Sequence, residues 1–90
     1  MLQKQAIRQG LETTYVMINC ETGSEGMIID KIQAIQGVKE CVRTTGPYDI
    51  LVMIESNTVE SLKEIIENQV RKIPNVRYTT TLVIASQFQF

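Results

Sequence analysis

The pattern Ile-x-x-Val followed by a basic residue occurs twice, at Ile35, Val38 and Lys39 and again thirty-eight residues later at Ile73, Val76 and Arg77. Each occurrence closes a stretch with helical apolar spacing and opens a stretch of β-type residues, so the chain reads as two successive strand-helix-strand units. Two right-handed units of this kind that interleave give a four-stranded antiparallel sheet with both helices on one face. The expected fold class is therefore α+β, ferredoxin-like β-α-β-β-α-β, with strand order 4-1-3-2.

The elements follow from local chemistry. Residues 13–20 (T-T-Y-V-M-I-N-C) are β-branched and aromatic and predict the first strand. From Thr22 or Ser24 to Gln36, Ile28, Ile29, Ile32 and Ile35 recur at helical spacing; Thr22 with Glu25 suggests a capping box, and Gly37 a left-handed stop. Residues 38–45 predict a half-exposed edge strand, with Val38, Glu40, Val42 and Thr44 on one side and Lys39, Cys41, Arg43 and Thr45 on the other. Residues 50–54 are an uninterrupted apolar run, as expected of a strand buried on both faces. Asn57 with Glu60 repeats the capping signature ahead of a longer helix that Pro74 ends, and residues 76–85 predict the fourth strand. The domain then spans residues 13–85, between an N-terminal arm at 1–12 and a tail at 86–90.

Two helices cover one sheet face, yet the inner strands carry bulky apolar side chains on both. Tyr15 and Met17 oppose Val16 and Ile18, while Leu51 and Met53 oppose Ile50, Val52 and Ile54. A bare patch of that kind is unusual on a monomer, and no third helix is readable, so a second copy packed sheet to sheet is the expected lid. The competing reading is a single sheet whose far face is merely half apolar, since apolar atoms make up much of any protein surface.

Composition narrows the function classes. Ninety residues with 43% hydrophobic and 21% charged content make one small soluble domain. A domain of this size buries only about 60% of its unfolded surface, which also favours self-association. Nine basic and ten acidic residues give a formal net charge of -1 and are scattered, so no basic face for direct nucleic-acid binding is visible. An RNA-binding module of this topology would want exposed aromatics on the inner strands, where Leu51 and Met53 stand instead. The chain contains no histidine, the commonest general base and metal ligand, and Cys20 and Cys41 have no metal-knuckle spacing. No metal, cofactor or catalytic residue is expected; Glu21, Glu25 and Asp30 read as capping and solvated carboxylates. No signal peptide or membrane span is readable, so a reducing, cytoplasmic setting is the expectation.

The densest cluster of special residues joins the second and third strands: Thr44-Thr45-Gly46-Pro47-Tyr48-Asp49. Gly46 permits close backbone approach and positive φ, Pro47 fixes the turn, the threonines offer hydroxyls, Tyr48 an aromatic wall and Asp49 a negative charge. That set suits a zwitterion, whose carboxylate wants N–H and hydroxyl donors and whose ammonium wants a carboxylate. A plain turn, with Asp49 bonded to nearby backbone, is the alternative. Thr79, Thr80 and Thr81 could present hydroxyls from the last strand, although threonine is also simply a good strand former.

Tyr15-Val16-Met17-Ile18-Asn19-Cys20-Glu21-Thr22-Gly23, Val38-Lys39-Glu40 and the segment Thr-Gly-Pro-Tyr-Asp at 45–49 together resemble the effector-binding (RAM) domain of the Lrp/AsnC transcriptional regulators, over about residues 13–85. The resemblance implies a domain of the dimeric α/β-barrel type that pairs sheet to sheet and assembles further, into tetramers or octamers. It implies a small effector, usually an amino acid, bound near the hairpin at a contact between dimers. Carried over, the ligand-binding residues are Thr45, Gly46, Tyr48 and Asp49, with Thr79 and Thr81 as a looser assignment. Family regulators carry an N-terminal helix-turn-helix, whereas here twelve residues precede the first strand. The chain therefore resembles a stand-alone form that acts by co-assembling with full-length relatives, without touching nucleic acid or membrane itself. The expected function is amino-acid sensing and oligomerisation in transcription regulation or metabolism. A small dimeric α/β-barrel enzyme and a purely structural assembly module are the alternatives.

Overall fold

A computed structural model describes residues 11–84. Its sheet has four strands, β1 (Glu12–Cys20), β2 (Val38–Arg43), β3 (Ile50–Ser56) and β4 (Val76–Ile84), all neighbours antiparallel, in the order β2-β3-β1-β4. This is the expected 4-1-3-2 order read from the other side. Expectations for most of the arm and for residues 85–90 lie outside the described residues.

Alternation along β1 and β3 sets the two faces. Val16, Ile18, Val52 and Ile54 are wholly buried beneath the helices, while Tyr15, Met17, Leu51 and Met53 alternate with them on the far face. Thr14 shares the buried row, and its hydroxyl donates to the Leu82 carbonyl at 3.0 Å, so its oxygen is not left unpaired. Cross-strand partners place Thr79 and Thr81 on the helix side, opposite Ile18 and Val16, and Thr80 and Leu82 on the far side.

On β2 the expected alternation fails at one place. An irregularity between Val38 and Glu40 pairs Val38 with buried Ile54 but Glu40 with Met53. Val38 therefore packs against the core, and only Glu40 and Val42 keep the far face. The strand also ends at Arg43, two residues earlier than expected.

The helices are shorter than their apolar patterns. Helix α1 (Glu25–Gln33) buries Ile28 and Ile32 and begins after Ser24. The expected Thr22–Glu25 capping box is absent: Glu25 Oε1 accepts from the Gly23 N–H, and Ser24 Oγ donates to the Glu21 carbonyl. Helix α2 (Val59–Ile65) is capped by Thr58 rather than Asn57, through a Ser61 N–H bond to the Thr58 hydroxyl at 3.0 Å. It continues as one wide π turn over Ile66–Val70, closed by the Arg71 N–H on the Ile66 carbonyl at 2.9 Å. The wide turn keeps Val70 in the core after Ile65 and Ile66, adjacent in sequence, have both been buried.

The repeated Ile-x-x-Val motif forms the same turn twice. Val38 N–H returns to Ile35 and Val76 N–H to Ile73, each at 3.3 Å. Gly37 and Asn75 supply the positive φ that these turns need before the chain enters β2 and β4.

Candidate functional site

Residues 45–49 close the hairpin between β2 and β3, and backbone geometry holds them firmly. The Thr44 N–H bonds the Asp49 carbonyl at 2.9 Å, and the Thr44 hydroxyl donates to the Tyr48 carbonyl at 2.7 Å. Gly46 has φ of +102°, and a Cβ there would meet nothing within 4 Å, so the turn is open on that side. Thr45 and Gly46 are exposed; Tyr48 and Asp49 are half-buried.

Three bonds tie this hairpin to the end of β1. Asn19 Nδ2 donates to the Pro47 carbonyl at 2.7 Å, the Asp49 N–H to the Ile18 carbonyl at 2.9 Å, and the Cys20 N–H to Asp49 Oδ2 at 2.9 Å. One Asp49 oxygen thus caps a backbone N–H that β-sheet pairing would leave single. A carboxylate has further lone pairs, so the same group can accept from a ligand cation as well. Asn19 is part of this arrangement, although in the sequence it stands only within the first-strand motif, 28 residues from Pro47.

The structure brings Thr45, Gly46, Tyr48 and Asp49 together and sets Thr79 and Thr81 apart. The two threonines lie on β4, across β1 from the hairpin strands. Thr79 Oγ1 accepts from Arg71 Nε at 2.8 Å, and Thr81 faces a cavity of about 200 Å³ beneath α2. Arg71 is a second residue the sequence did not reveal. Its place depends on the π turn before it, which apolar spacing alone does not announce. Arg77 pairs with Glu21 at 3.5 Å and lies 5.9 Å from the Tyr78 ring centre, an exposed arrangement of small energetic weight.

The far sheet face is apolar across its width. Tyr15 and Met17 of β1, Leu51 and Met53 of β3, Val42 of β2 and Leu82 of β4 share it, with Val42 and Leu82 about half exposed. Both helices lie on the opposite face, so among the described residues nothing covers it. Cys20 and Cys41 face the helices instead, both free thiols. Burial pushes the Cys41 thiol up to about 11 and raises that of Cys20 in the same direction. Among the described residues, no group of three or more Cys, Asp or Glu is arranged to hold a metal, and no helix is long and apolar enough to cross a membrane.

This geometry has counterparts among known proteins. Residues 13–89 match the model of the Lrp/AsnC ligand binding domain. Homocitrate synthase of Sulfurisphaera tokodaii is 33% identical over 70 residues, which are 77% of this chain and 15% of that protein. The chain thus spans less than one sixth of that relative's length. A hypothetical protein from Pyrococcus horikoshii, known by crystal structure, is 29% identical, with a TM-score of 0.77 over 81% of this chain and 88% of that one. The structure of Escherichia coli AsnC superposes with a TM-score of 0.80 over 90% of this chain and 54% of that one; at 18% identity it shares the fold.

Proposed function

The chain belongs to the Lrp/AsnC ligand-binding domain family, and on that premise we propose that it is a non-catalytic amino-acid sensor whose ligand biases the assembly of its own copies. In this reading the Asp49 carboxylate takes the ligand ammonium, the Thr45 hydroxyl and the Gly46 backbone N–H take its carboxylate, and the Tyr48 ring forms the wall for its side chain. Thr79 and Thr81 join that site only where β4 of a neighbouring protomer is brought to the hairpin.

The observation that carries the reading is the coexistence of an open hairpin tip with a fixed base. Thr45 and Gly46 are exposed, while three hydrogen bonds hold the turn to β1. Such a site is preorganised, so little ordering cost opposes binding. The uncovered face bearing Tyr15, Met17, Leu51 and Met53 supports sheet-to-sheet pairing, and further contacts between dimers would build tetramers or octamers. A ligand held where dimers meet then couples occupancy to assembly size. Co-assembly with full-length Lrp/AsnC regulators would carry that response to transcription.

A thermal-unfolding screen against all twenty amino acids, run with light scattering, tests this. Binding to the native state adds about 2.7 kcal/mol at a hundred times the dissociation constant. One or a few amino acids that raise Tm and change the assembly mass would bear the sensor out. No shift at millimolar concentrations, with a stable oligomer of constant size, would make the domain an assembly module without an amino-acid effector.

A further inference from the structure

We propose that the cavity between α2 and β4 is a second ligand site, contained within one protomer, that takes a small monocarboxylate with an apolar body. The cavity measures about 200 Å³, the space of about seven waters, which suits one small organic acid. Val59, Leu62 and Ile66 give its helix wall, and Thr14 and Thr81 its sheet wall. Leu62 and Ile66 are themselves buried, so the wall is continuous with the core and favours an apolar body.

The charged lining selects the other end of the ligand. Lys63 and Arg71 line the cavity against one carboxylate, Glu67, leaving a surplus of one positive charge. That surplus suits a monocarboxylate better than a di- or tricarboxylate. Arg71 is also positioned in advance. The π turn sets its backbone, through the bond from its N–H to Ile66, and Thr79 Oγ1 holds its Nε. The guanidinium retains four further N–H donors for a carboxylate. Among the described residues, the Thr81 hydroxyl makes no hydrogen bond, so it too can meet a ligand oxygen. Wide turns of this kind recur where a helix shapes a functional pocket.

This site does not depend on the hairpin reading. The hairpin extends from the β3 side of β1, the cavity opens on the β4 side, and Thr14 lies four residues along β1 from Ile18, about 13 Å away.

The test is a titration of the intact protein with 4-methylpentanoate, followed by amide proton-nitrogen NMR, beside the uncharged 4-methylpentan-1-ol. Saturable shifts centred on Leu62, Ile66, Arg71 and Thr81, about tenfold weaker with the alcohol, are expected from a charge-assisted carboxylate contact. Arg71→Gln and Thr81→Val should each weaken the acid and spare the alcohol; if either variant fails to fold, Lys63→Gln at an exposed position serves in its place. Absence of saturable shifts, equal binding of acid and alcohol, or shifts confined to residues 45–49 would each overturn the proposal. The last result would place the carboxylate at the hairpin, and the amino-acid screen reports on that site separately.

Discussion

Gly37 and Asn75 hold the same left-handed backbone conformation at matched points of the repeat, with φ of +101° and +75°. Each carbonyl accepts from the N–H of a glutamate, Glu55 near the end of β3 at 2.9 Å for Gly37 and Glu21 just past β1 at 3.0 Å for Asn75. The two halves of the chain thus share a hydrogen-bond plan as well as a sequence pattern. They differ in what surrounds the turn. A Cβ on Gly37 would stand 3.0 Å from the Glu55 carbonyl oxygen and 3.3 Å from Ile65 Cδ1.

Gly37→Ala should therefore destabilise the protein by more than the ~1–2 kcal/mol of left-handed backbone strain alone. Asn75→Gly should change stability by less than about 1 kcal/mol, because asparagine already tolerates this conformation. Urea unfolding of both variants checks the contrast. A cost for Gly37→Ala of no more than about 1–2 kcal/mol would mean that the close approach to Glu55 is relaxed at no cost.

Asp49→Ala should cost about 1–3 kcal/mol, since it leaves the Cys20 N–H without its partner at a half-buried position. Asp49→Asn keeps an acceptor oxygen and removes the charge, so it should cost less while still losing an ammonium ligand. Comparing the two by denaturation and by ligand-induced shifts in Tm separates the structural duty of Asp49 from its proposed binding duty. If Asp49→Asn binds an amino acid as tightly as the wild type, the hairpin assignment is wrong.

Leu51→Glu should leave the protomer fold in place and break the proposed sheet-to-sheet pairing. Leu51 faces away from the helices beside Met17 and Val42, so the charge would be buried only in an assembled dimer. Sedimentation should show a monomer with an unchanged far-ultraviolet spectrum. A dimer that survives the substitution would place the interface elsewhere.

Burial pushes the Cys41 thiol up to about 11 in the folded protein, from 9.0 for an ordinary thiol. The folded state thus retains a proton that the unfolded state loses, and stability falls as pH rises. The contribution is complete below pH 9, declines between about 9 and 11, and levels off above. Urea midpoints across this range should drop more steeply for the wild type than for Cys41→Ala. Alkylation at pH 8 should be slow in buffer and fast in denaturant.

How much of this was legible in the sequence depends on the length scale of the signal. Strand order followed from the repeated strand-helix-strand pattern and its right-handed crossovers, and the helices from the apolar spacing at Ile28 and Ile32, because burial acts on whole elements and leaves a period. Capping was less legible. Ser, Thr and Asn compete for one position, and Thr58 won over Asn57 by a choice of backbone geometry that composition does not encode. The reversal at Val38 and the π turn at Ile66–Val70 each depend on a one-residue change of register, which weak local preferences cannot announce. The hairpin residues were legible as a turn because Gly46 and Pro47 break the strand pattern. Their anchor at Asn19, and the partnership of Arg71 with Thr79, arise from strands and helices meeting in space.

The strand order has a consequence for how the chain is made. Only β2 and β3 are joined by a hairpin; β1 must wait for β3 on one side and for β4 on the other, where Thr13 meets Ile84. Synthesis from the N-terminus therefore delivers β1 first and its second neighbour last. Until β4 has left the ribosome, one edge of β1 is an open template for any passing strand. Non-local closure of this kind is slow, so that edge is the last of the inner pair to be covered.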